Sequence, residues 1–321
     1  MLNSKRLPTK KVAQVSASVC YKVFRIVILL GLSYLMLYPV LSILSQALML
    51  PEELFDGTIV WIPENPTFSN FKNVFTYIDF PHHMKISLQI AVIGTILQLI
   101  TCSLVGYGLA RFNFRGVGVA FAMVIITIVV PIQTSQIPMY LGYQSFDFFG
   151  IGTLIGKITG TPLTVNLLES NWVYYVPAAF GVGLNSGLYI FLFRQFFKGL
   201  PKDLEDAGKV DGCNAFMVYL RIAVPNTKPV FVTVALLSVI FYWKDTVISG
   251  MFLSSIDQQP IMLLIDSFKS ILWQLGGTQD VGRYTVEISA ARLLVISPLI
   301  LVFLICQKFF IECMDRSGIK G

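Results

Sequence analysis

The sequence predicts an all-α, polytopic membrane protein with six transmembrane helices. The first reason is composition: 55% of the 321 residues are hydrophobic and 13% are charged, whereas soluble domains carry about 25% charged residues. The second reason is a series of long apolar runs, and the third is the distribution of Lys and Arg between the loops. With a mean hydropathy of +0.71, most of the chain is expected to lie in lipid.

The net charge of +6 does not indicate nucleic-acid binding. No basic cluster is interleaved with aromatic residues, and the positive residues fall in particular loops. Membrane topology explains this charge better than a polyanionic ligand does. The five cysteines form no CxxC pair, which favours free thiols over a disulfide framework.

Six apolar runs predict the spans, since a helix needs about 20 mostly apolar residues to cross roughly 30 Å of hydrocarbon. The first run, residues 24–50, follows a basic segment, residues 1–23. It is longer than the apolar region of a signal peptide and no convincing cleavage site follows it, so we expect a retained span. The other five predicted spans are 85–110, 117–142, 175–197, 230–251 and 288–310. Residues 24–310 then form a single transmembrane domain, and residues 311–321 form a tail.

The Lys and Arg residues predict that both termini lie in the cytoplasm. With the N-terminus inside, the cytoplasmic segments hold seventeen of the 24 Lys and Arg residues, as the positive-inside rule requires. The connection between the fourth and fifth spans, residues 198–228, is then cytoplasmic and long enough to be more than a turn. The outer loop 51–84 is rich in Pro, Asn and aromatic residues and is expected to form short structure.

The cytoplasmic connection 198–228 has the pattern of two short helices joined at a glycine corner. Pro201 suits the first turn of a helix, and Gly212 suits the left-handed conformation that ends one. Acidic residues, which the helix dipole favours, occupy the first turn: Asp203, Glu205 and Asp206. A second helix is expected to run to Pro225, with Asn214 as its cap. A compact, rigid knob of this kind suits docking to a partner protein.

The spacing within this connection resembles that of the membrane subunits of ATP-binding cassette (ABC) importers. Their cytoplasmic motif has the form E-A-A-x-x-D-G-A, then eight residues, then I-x-L-P. Residues at the corresponding positions here are Asp206, Ala207, Gly208, Asp211, Gly212 and Cys213, followed by Ile222, Ala223, Val224 and Pro225. Four positions depart from the motif: Asp for Glu, Gly for Ala, Cys for Ala and Val for Leu. The length, the Asp-Gly pair and the final Pro are intact.

The resemblance extends beyond this connection. Residues 106–116, "GYGLARFNFRG", are similar to the family's Y-A-L-A-R-F stretch, and residues 130–141 are similar to its P-x-Q-x-x-x-I-P segment. Residues 191–212 resemble the run that leads into the motif in sugar-importer permeases. The C-terminal "QKFFIECMDRSGIKG" resembles the ending of the maltose-type second permease subunit.

The resemblance implies the type I ABC importer permease fold. It also implies a subunit of the bacterial cell membrane that forms part of the transport path and does not itself hydrolyse ATP. In such importers the polar segment is a coupling helix seated in a groove on the ATP-binding subunit. It implies coupling roles for Glu205, Asp206, Ala207, Gly208, Asp211, Gly212, Cys213 and Pro225. The tail residues Gly318, Lys320 and Gly321 would contact the ATPase, with residues 317–321 in an extended strand. The implied partners are a second homologous permease, two ATP-binding subunits, an extracellular solute-binding protein and a carbohydrate.

Polar and aromatic residues inside the predicted spans suit a sugar pathway, because sugars combine hydroxyl hydrogen bonds with stacking on aromatic rings. The candidates are Asn185, Ser186, Tyr189, Ser238 and Tyr242. Gly183 and Gly187 have small-xxx-small spacing, which indicates close helix packing. The charged residues Asp245, Glu287 and Arg292 lie near span ends and are expected to form an interfacial salt-bridge cluster.

No catalytic, metal or cofactor site is predicted. The nearest approach to a P-loop is Gly156-Lys157, but no Gly stands five residues earlier and Ile158 replaces Ser or Thr. His82 and His83 have no Cys or acid at ligand spacing and are expected to be a surface pair. The chain is therefore not expected to be an enzyme, and ATP hydrolysis is expected in a separate subunit.

Two alternatives remain open. The runner-up to a carbohydrate importer is the same machinery with a different solute, such as a polyamine or a phosphorylated polyol. A secondary transporter is the rival of another class, and it typically carries an internal repeat and buried acids along an ion path. The sequence contains no evident internal repeat. A membrane enzyme is a weaker rival because no cluster of acids, histidines or nucleophiles is present.

Overall fold

A computed structural model describes residues 9–59, 61–148, 150–161, 163–268, 270 and 280–318. These residues are mostly helical, and the only β-type pairing among them is one bridge between Phe146 and Val165. The first eight helices are α1 Thr9–Leu48, α2 Ser69–Tyr77, α3 Phe80–Arg111, α4 Val117–Val129, α5 Gln136–Gln144, α6 Ile151–Thr159, α7 Trp172–Ala179 and α8 Ser186–Gly199. The remaining helices are α9 Lys202–Val210, α10 Ala215–Val218, α11 Val224–Asn226, α12 Lys228–Trp243, α13 Val247–Phe252, α14 Ile261–Asp266 and α15 Val281–Gly318.

Three of these helices contain segments long and apolar enough to cross a membrane: Ser18–Leu48, Phe80–Arg111 and Val281–Gln307. Within the described residues the number rises to five if each of two bent helix pairs is one span. One pair is α4 with α5, which Pro131 separates, and the other is Ala215–Asn226 with Lys228–Trp243.

The predicted fourth span, 175–197, is interrupted in the structure. It is divided between α7 and α8, and the residues between them include Asn185 in a left-handed conformation with φ 55°. Carbonyl groups freed by such a break must find partners when water is absent. Two side chains of α3 supply them: Gln98 Nε2 donates to Leu184 O at 2.6 Å, and Thr101 Oγ1 donates to Ala179 O at 3.0 Å.

The C-terminal helix is longer than expected. Residues 317 and 318, which we predicted to lie in an extended strand, continue α15 to Gly318. No Pro or Gly lies between Pro298 and Gly318, so each further residue adds a backbone hydrogen bond to an existing helix. Residues 319–321, including Lys320 and Gly321, lie outside the described residues.

The chain divides into two compact units. The first comprises residues 1–74 and 278–293, and the second comprises residues 75–277 and 294–321. In the first unit, the buried Glu287 pairs with Arg283 at 3.1 Å and accepts a hydrogen bond from Asn73 Nδ2 at 2.8 Å. Glu287 is thus held by local partners, and not in the salt-bridge cluster that we expected.

The core of the second unit lies where α3, α8 and α12 meet. Its fully buried side chains include Cys102, Tyr189, Phe193, Phe197 and Val234. Glycine allows the close approach of α3 to α8, because a Cβ on Gly106 would lie 2.6 Å from Phe193 Cβ. Gly187 similarly brings α8 against Thr127 and Ile128 of α4, which confirms the close packing predicted for this glycine.

Two adjacent histidines anchor a loop of the second unit. His83 is buried, and its Nδ1 lies 2.8 Å from Gln259 O, while His82 Nε2 lies 2.9 Å from Asp257 O. The expectation of a surface pair is therefore wrong for His83. Although adjacent side chains on a helix point in different directions, the loop that contains Asp257 and Gln259 contacts both histidines. Among the described residues no group of His, Cys, Asp and Glu could hold a metal ion.

Candidate coupling hairpin and solute pathway

The polar segment 201–226 folds as a helical hairpin, which we call the coupling hairpin. Pro201 is the residue before α9 and not the first residue within it. Helix α9 is amphipathic: Glu205 and Gly208 are buried, whereas the face at Asp206, Ala207 and their neighbours one turn away is exposed. Two of the predicted coupling residues therefore face the interior of this chain.

The corner of the hairpin is a Schellman motif centred on Gly212. Gly212 has φ +81°, a conformation that residues with a Cβ rarely adopt. Cys213 N donates to Gly208 O at 2.9 Å, and Gly212 N donates to Lys209 O at 3.0 Å. These are the two crossed hydrogen bonds that define the motif. The prediction of a left-handed glycine at this position is confirmed, and Asp211 and Gly212 are exposed at the tip.

The second arm of the hairpin begins as expected and ends one residue later. Asn214 Oδ1 accepts a hydrogen bond from Met217 N at 2.8 Å, which caps the helix. A π-helical turn spans Tyr219–Ala223, and the helix continues through the exposed Pro225 to Asn226. Side chains then satisfy two of the last carbonyl groups: Asn226 Nδ2 donates to Ile222 O, and Thr227 Oγ1 donates to Ala223 O.

The two arms are in close contact at Gly208. A Cβ on this residue would overlap Ile222 Cδ1, and it would lie 3.7 Å from Val218 Cγ2. The glycine that replaces the second Ala of the family motif therefore makes room for a side chain of the opposite arm. This position serves packing within the hairpin.

An ion pair fastens the hairpin to α3. Arg111 Nε lies 2.7 Å from Glu205 Oε1, and both side chains are only 8% exposed. Arg111 Nη2 also donates to Leu200 O at 2.8 Å. The sequence analysis identified Glu205 but missed Arg111, although Arg111 lies in the "GYGLARFNFRG" stretch that it singled out.

The outward surface of the hairpin combines apolar and acidic groups. Its exposed apolar side chains are Leu204, Val210, Phe216, Met217 and Leu220, and Val210 is 88% exposed. Asp206 and Lys209 form an exposed pair at 2.8 Å. The hydrogen bond between them lowers the pKa of Asp206 and raises the pKa of Lys209. Both groups are therefore charged at neutral pH, and the surface suits a partner with apolar and polar contacts.

Four of the five pathway candidates are buried where α3, α8 and α12 meet. Ser186, Tyr189, Ser238 and Tyr242 are each less than 5% exposed, whereas Asn185 is exposed. Gln98 of α3 connects two of them: its Nε2 donates to Ser186 Oγ at 3.1 Å, and its Oε1 accepts from Ser238 Oγ at 2.8 Å. We call this the Gln98 node.

Gln98 was missed by the sequence analysis, and a signal was available. It is an amide in the middle of an apolar run, and polar residues inside spans are costly unless they have partners. Thr95 of α3 extends the network, since its Oγ1 donates to Ser238 Oγ at 3.0 Å.

A small cleft lies beside the node, and Tyr242, Tyr174, Gly183 and Ile248 are among its lining residues. The hydroxyl group of Tyr242 is buried and has no hydrogen-bond partner among the described residues. The hydroxyl group of Tyr174 donates to Asp245 Oδ2 at 2.7 Å. Asp245, which is half-buried, also accepts from the backbone N–H groups of Ile248 and Ser249 in α13, so its carboxylate has several local partners.

The chain belongs to the family described as "Binding-protein-dependent transport system inner membrane component", which it matches over residues 102–315. The match begins within α3, after Gln98, and includes the coupling hairpin. It also includes two residues of the Gln98 node, Ser186 and Ser238. The chain is thus a membrane component of a binding-protein-dependent transport system, as the sequence analysis predicted. Its apolar helices agree with a multi-pass membrane protein.

Relatives of the chain include transport permeases of several bacteria. The chain is 28% identical over 308 residues to the arabinooligosaccharides transport system permease protein AraQ of Bacillus subtilis, covering 94% of this chain and 98% of that protein. It is 26% identical over 259 residues to the alpha-glucoside transport system permease protein AglG of Rhizobium meliloti, covering 81% of this chain and 62% of that protein.

Solved structures share the fold. A bacterial ABC transporter involved in the import of the acidic polysaccharide alginate matches with a TM-score of 0.66 and 19% identity, covering 96% of this chain and 100% of the other. A bacterial alginate ABC transporter in complex with an alginate pentasaccharide-bound periplasmic protein matches with a TM-score of 0.61 and 13% identity, covering 95% and 98%. The predicted fold class, an all-α ABC permease, is confirmed.

Proposed function

We propose that this chain is the permease subunit of an ATP-driven ABC importer that translocates an oligosaccharide. The observation that carries the proposal is the coupling hairpin, a rigid two-helix knob with an exposed apolar surface and a Gly212 corner. Such a surface suits docking to a second protein. The family match supports the transport role, and the named substrates of relatives, arabinooligosaccharides and alpha-glucosides, support a carbohydrate.

The hairpin docks on an ATP-binding subunit of the same complex. Asp206, Ala207, Asp211 and Gly212 are exposed and form the contact, and Cys213 and Pro225 flank it. Gly208 acts from inside by holding the two arms together. Because no P-loop is present in the sequence, ATP is hydrolysed by that partner, which is present in two copies.

The solute pathway is shared with a second, homologous permease, and an extracellular solute-binding protein delivers the solute. In this chain the pathway includes Asn185, Ser186, Tyr189, Ser238 and Tyr242. The buried hydroxyl group of Tyr242, which has no partner among the described residues, supports this role because sugar hydroxyls are suitable partners.

Both termini lie in the cytoplasm, on the side of the coupling hairpin. The C-terminal residues Gly318, Lys320 and Gly321 contact the ATPase subunits, with Gly allowing close backbone approach. The charge distribution along the sequence supports this orientation.

The test is uptake by cells that carry the complete transporter with the variant Gly212→Val. A β-branched residue at positive φ is strongly disfavoured, so uptake of arabino-oligosaccharides from partially hydrolysed arabinan should be lost while membrane insertion is retained. Gly160→Val is the matched control, since Gly160 has φ +84° and, like Gly212, has no other atom within 4 Å of an added Cβ. Normal uptake by the Gly212→Val variant would contradict the proposal.

The solute class is tested in the same cells by competition. An excess of an unlabelled arabino-oligosaccharide or alpha-glucoside should inhibit uptake, whereas spermidine and glycerol 3-phosphate should not. Inhibition by either of the last two compounds would assign the transporter to another solute.

A further inference from the structure

Arg111 joins three helices at one point. It is the last residue of α3, its Nε lies 2.7 Å from Glu205 Oε1 in the first turn of α9, and its Nη2 donates to Leu200 O at 2.8 Å. Leu200 is the residue that ends α8. One guanidinium group therefore contacts the end of α3, the end of α8 and the start of the coupling hairpin.

The electrostatics of this joint favour its geometry. A cation is stabilised at the C-terminus of a helix and an anion at the N-terminus, which are the positions of Arg111 and Glu205. Because both side chains are 8% exposed, loss of either one leaves a buried charge without its partner, and this is strongly destabilising locally. Lysine is not equivalent to arginine here, since it lacks the rigid fork that reaches two acceptors at once.

Helix α3 also holds the second arm of the hairpin. The hydroxyl groups of Tyr219 and Ser103 are 2.7 Å apart and both residues are buried. Both arms are thus attached to one stretch of α3, residues 103–111. At 1.5 Å per residue, Gln98 of the same helix is about 8 Å from Ser103 and about 20 Å from Arg111, and it contacts both Ser186 and Ser238.

We infer that Arg111 is a positioning residue for transport: it locks the coupling hairpin to α3, so that displacement of the hairpin moves the Gln98 node. Glu205 accordingly acts within this chain and not on the ATPase subunit. This inference rests on the proposed function, because it takes the hairpin to be the element that the ATPase displaces.

The experiment measures the distance between α9 and α3 in the purified complex. Spin labels are placed at Lys202 and Val105, both exposed, in a background without native cysteines. The wild-type pair should give one narrow distance that is the same without nucleotide and with ATP and vanadate. Glu205→Gln should widen the distribution by on the order of twofold, because the buried Arg111 charge is left without its partner. It should also lower uptake of hydrolysed arabinan without releasing the ATPase subunits.

Three further variants separate a specific joint from general damage. Arg111→Lys should also widen the distribution, and the charge exchange Arg111→Glu with Glu205→Arg should narrow it only in part, because a carboxylate at position 111 cannot donate to Leu200 O. Arg115→Gln is the matched control, since Arg115 is an exposed arginine four residues later, and it should leave the distance unchanged.

Two results would overturn the inference. One is a narrow, wild-type distance in Glu205→Gln. The other is loss of the ATPase subunits from Glu205→Gln with an unchanged distance, which would place Glu205 in the interface with the partner. Failure of the proposed function looks different: no ATPase subunit would purify with the wild-type chain, while the distance without nucleotide would still report on the joint.

Discussion

The coupling hairpin and the Gln98 node both depend on polar residues, but these residues are exposed in the hairpin and buried in the node. In the hairpin, polar groups such as Asp206 and Asp211 face outward, and backbone geometry at Gly212 determines where they point. In the node, the polar groups of Gln98, Ser186 and Ser238 face inward and satisfy one another. The hairpin therefore exposes its polar groups at the surface, whereas the node uses its polar groups to connect α3, α8 and α12.

This difference determines which property each substitution should affect. A change on the hairpin surface leaves the fold intact and alters association with a partner. A change in the node leaves buried polar atoms without hydrogen bonds and alters the stability of the chain itself. Four substitutions test this contrast, in order of the effect expected.

Replacement of Gln98 with Leu should have the largest effect. It removes the donor to Leu184 O and the contacts with Ser186 and Ser238, and each buried group left unpaired costs about 1–3 kcal/mol. Thermal unfolding in detergent should occur several degrees lower, and uptake should be lost. Gln144→Leu is the control because Gln144 is exposed. An unchanged unfolding temperature for Gln98→Leu would remove the basis for treating the node as structural.

Replacement of Val210 with Asp should weaken association with the ATPase subunit by about tenfold, or roughly 1.4 kcal/mol, without changing thermal stability. Val210 is 88% exposed, so its replacement costs the free chain little. Ile158→Asp is the matched control, since Ile158 is 85% exposed in α6, outside the hairpin. Pull-down at several ionic strengths measures the association. Equal association of both variants would show that the apolar hairpin surface is not the docking site.

Replacement of Gly208 with Ala should displace the side chain of Ile222, since the added Cβ would overlap Ile222 Cδ1. Overpacking of this kind costs about 1–3 kcal/mol. Ile222→Val removes the colliding methyl group, so the double variant should regain both stability and uptake. The measurement is a double-mutant cycle of the unfolding temperature. Additive effects in that cycle would contradict the contact.

Replacement of Tyr242 with Phe should have the smallest effect on stability, because its hydroxyl group has no partner among the described residues. If that group contacts the solute, half-saturation of uptake should require a higher solute concentration while the unfolding temperature is unchanged. Tyr174→Phe, which breaks a 2.7 Å hydrogen bond to Asp245, should instead lower the unfolding temperature. Unchanged uptake kinetics in Tyr242→Phe would remove this residue from the proposed pathway.

Local features of the hairpin were predictable from sequence because each depends on a residue with a strong conformational preference. Gly212 at the corner and Asn214 at the cap are of this kind. The placement of Glu205 was not predictable, since its partner Arg111 is 94 positions away in the sequence and only the packed structure brings them together. The same limit applied to Gln98, whose contacts come from helices α8 and α12.

The interruption of the predicted fourth span was missed for a related reason. Hydropathy over 175–197 is high because it averages over a window, whereas helical continuity depends on single residues such as Asn185 in its left-handed conformation. The break is stable only because Gln98 and Thr101 of α3 satisfy the carbonyl groups that it exposes. No property of residues 175–197 alone reveals that.

The sharp change of direction at Thr227 has a consequence for leverage. The second arm, Ala215–Asn226, meets α12 at 80°, and at 1.5 Å per residue it is about 18 Å long. A tilt of about 10° around Thr227 would therefore displace the Gly212 corner by roughly 3 Å, given the same rise per residue. A partner docked at the corner, as proposed, would act on a lever arm of about 18 Å, so that a shift of roughly 3 Å at the corner would correspond to a rotation of about 10° at the start of α12.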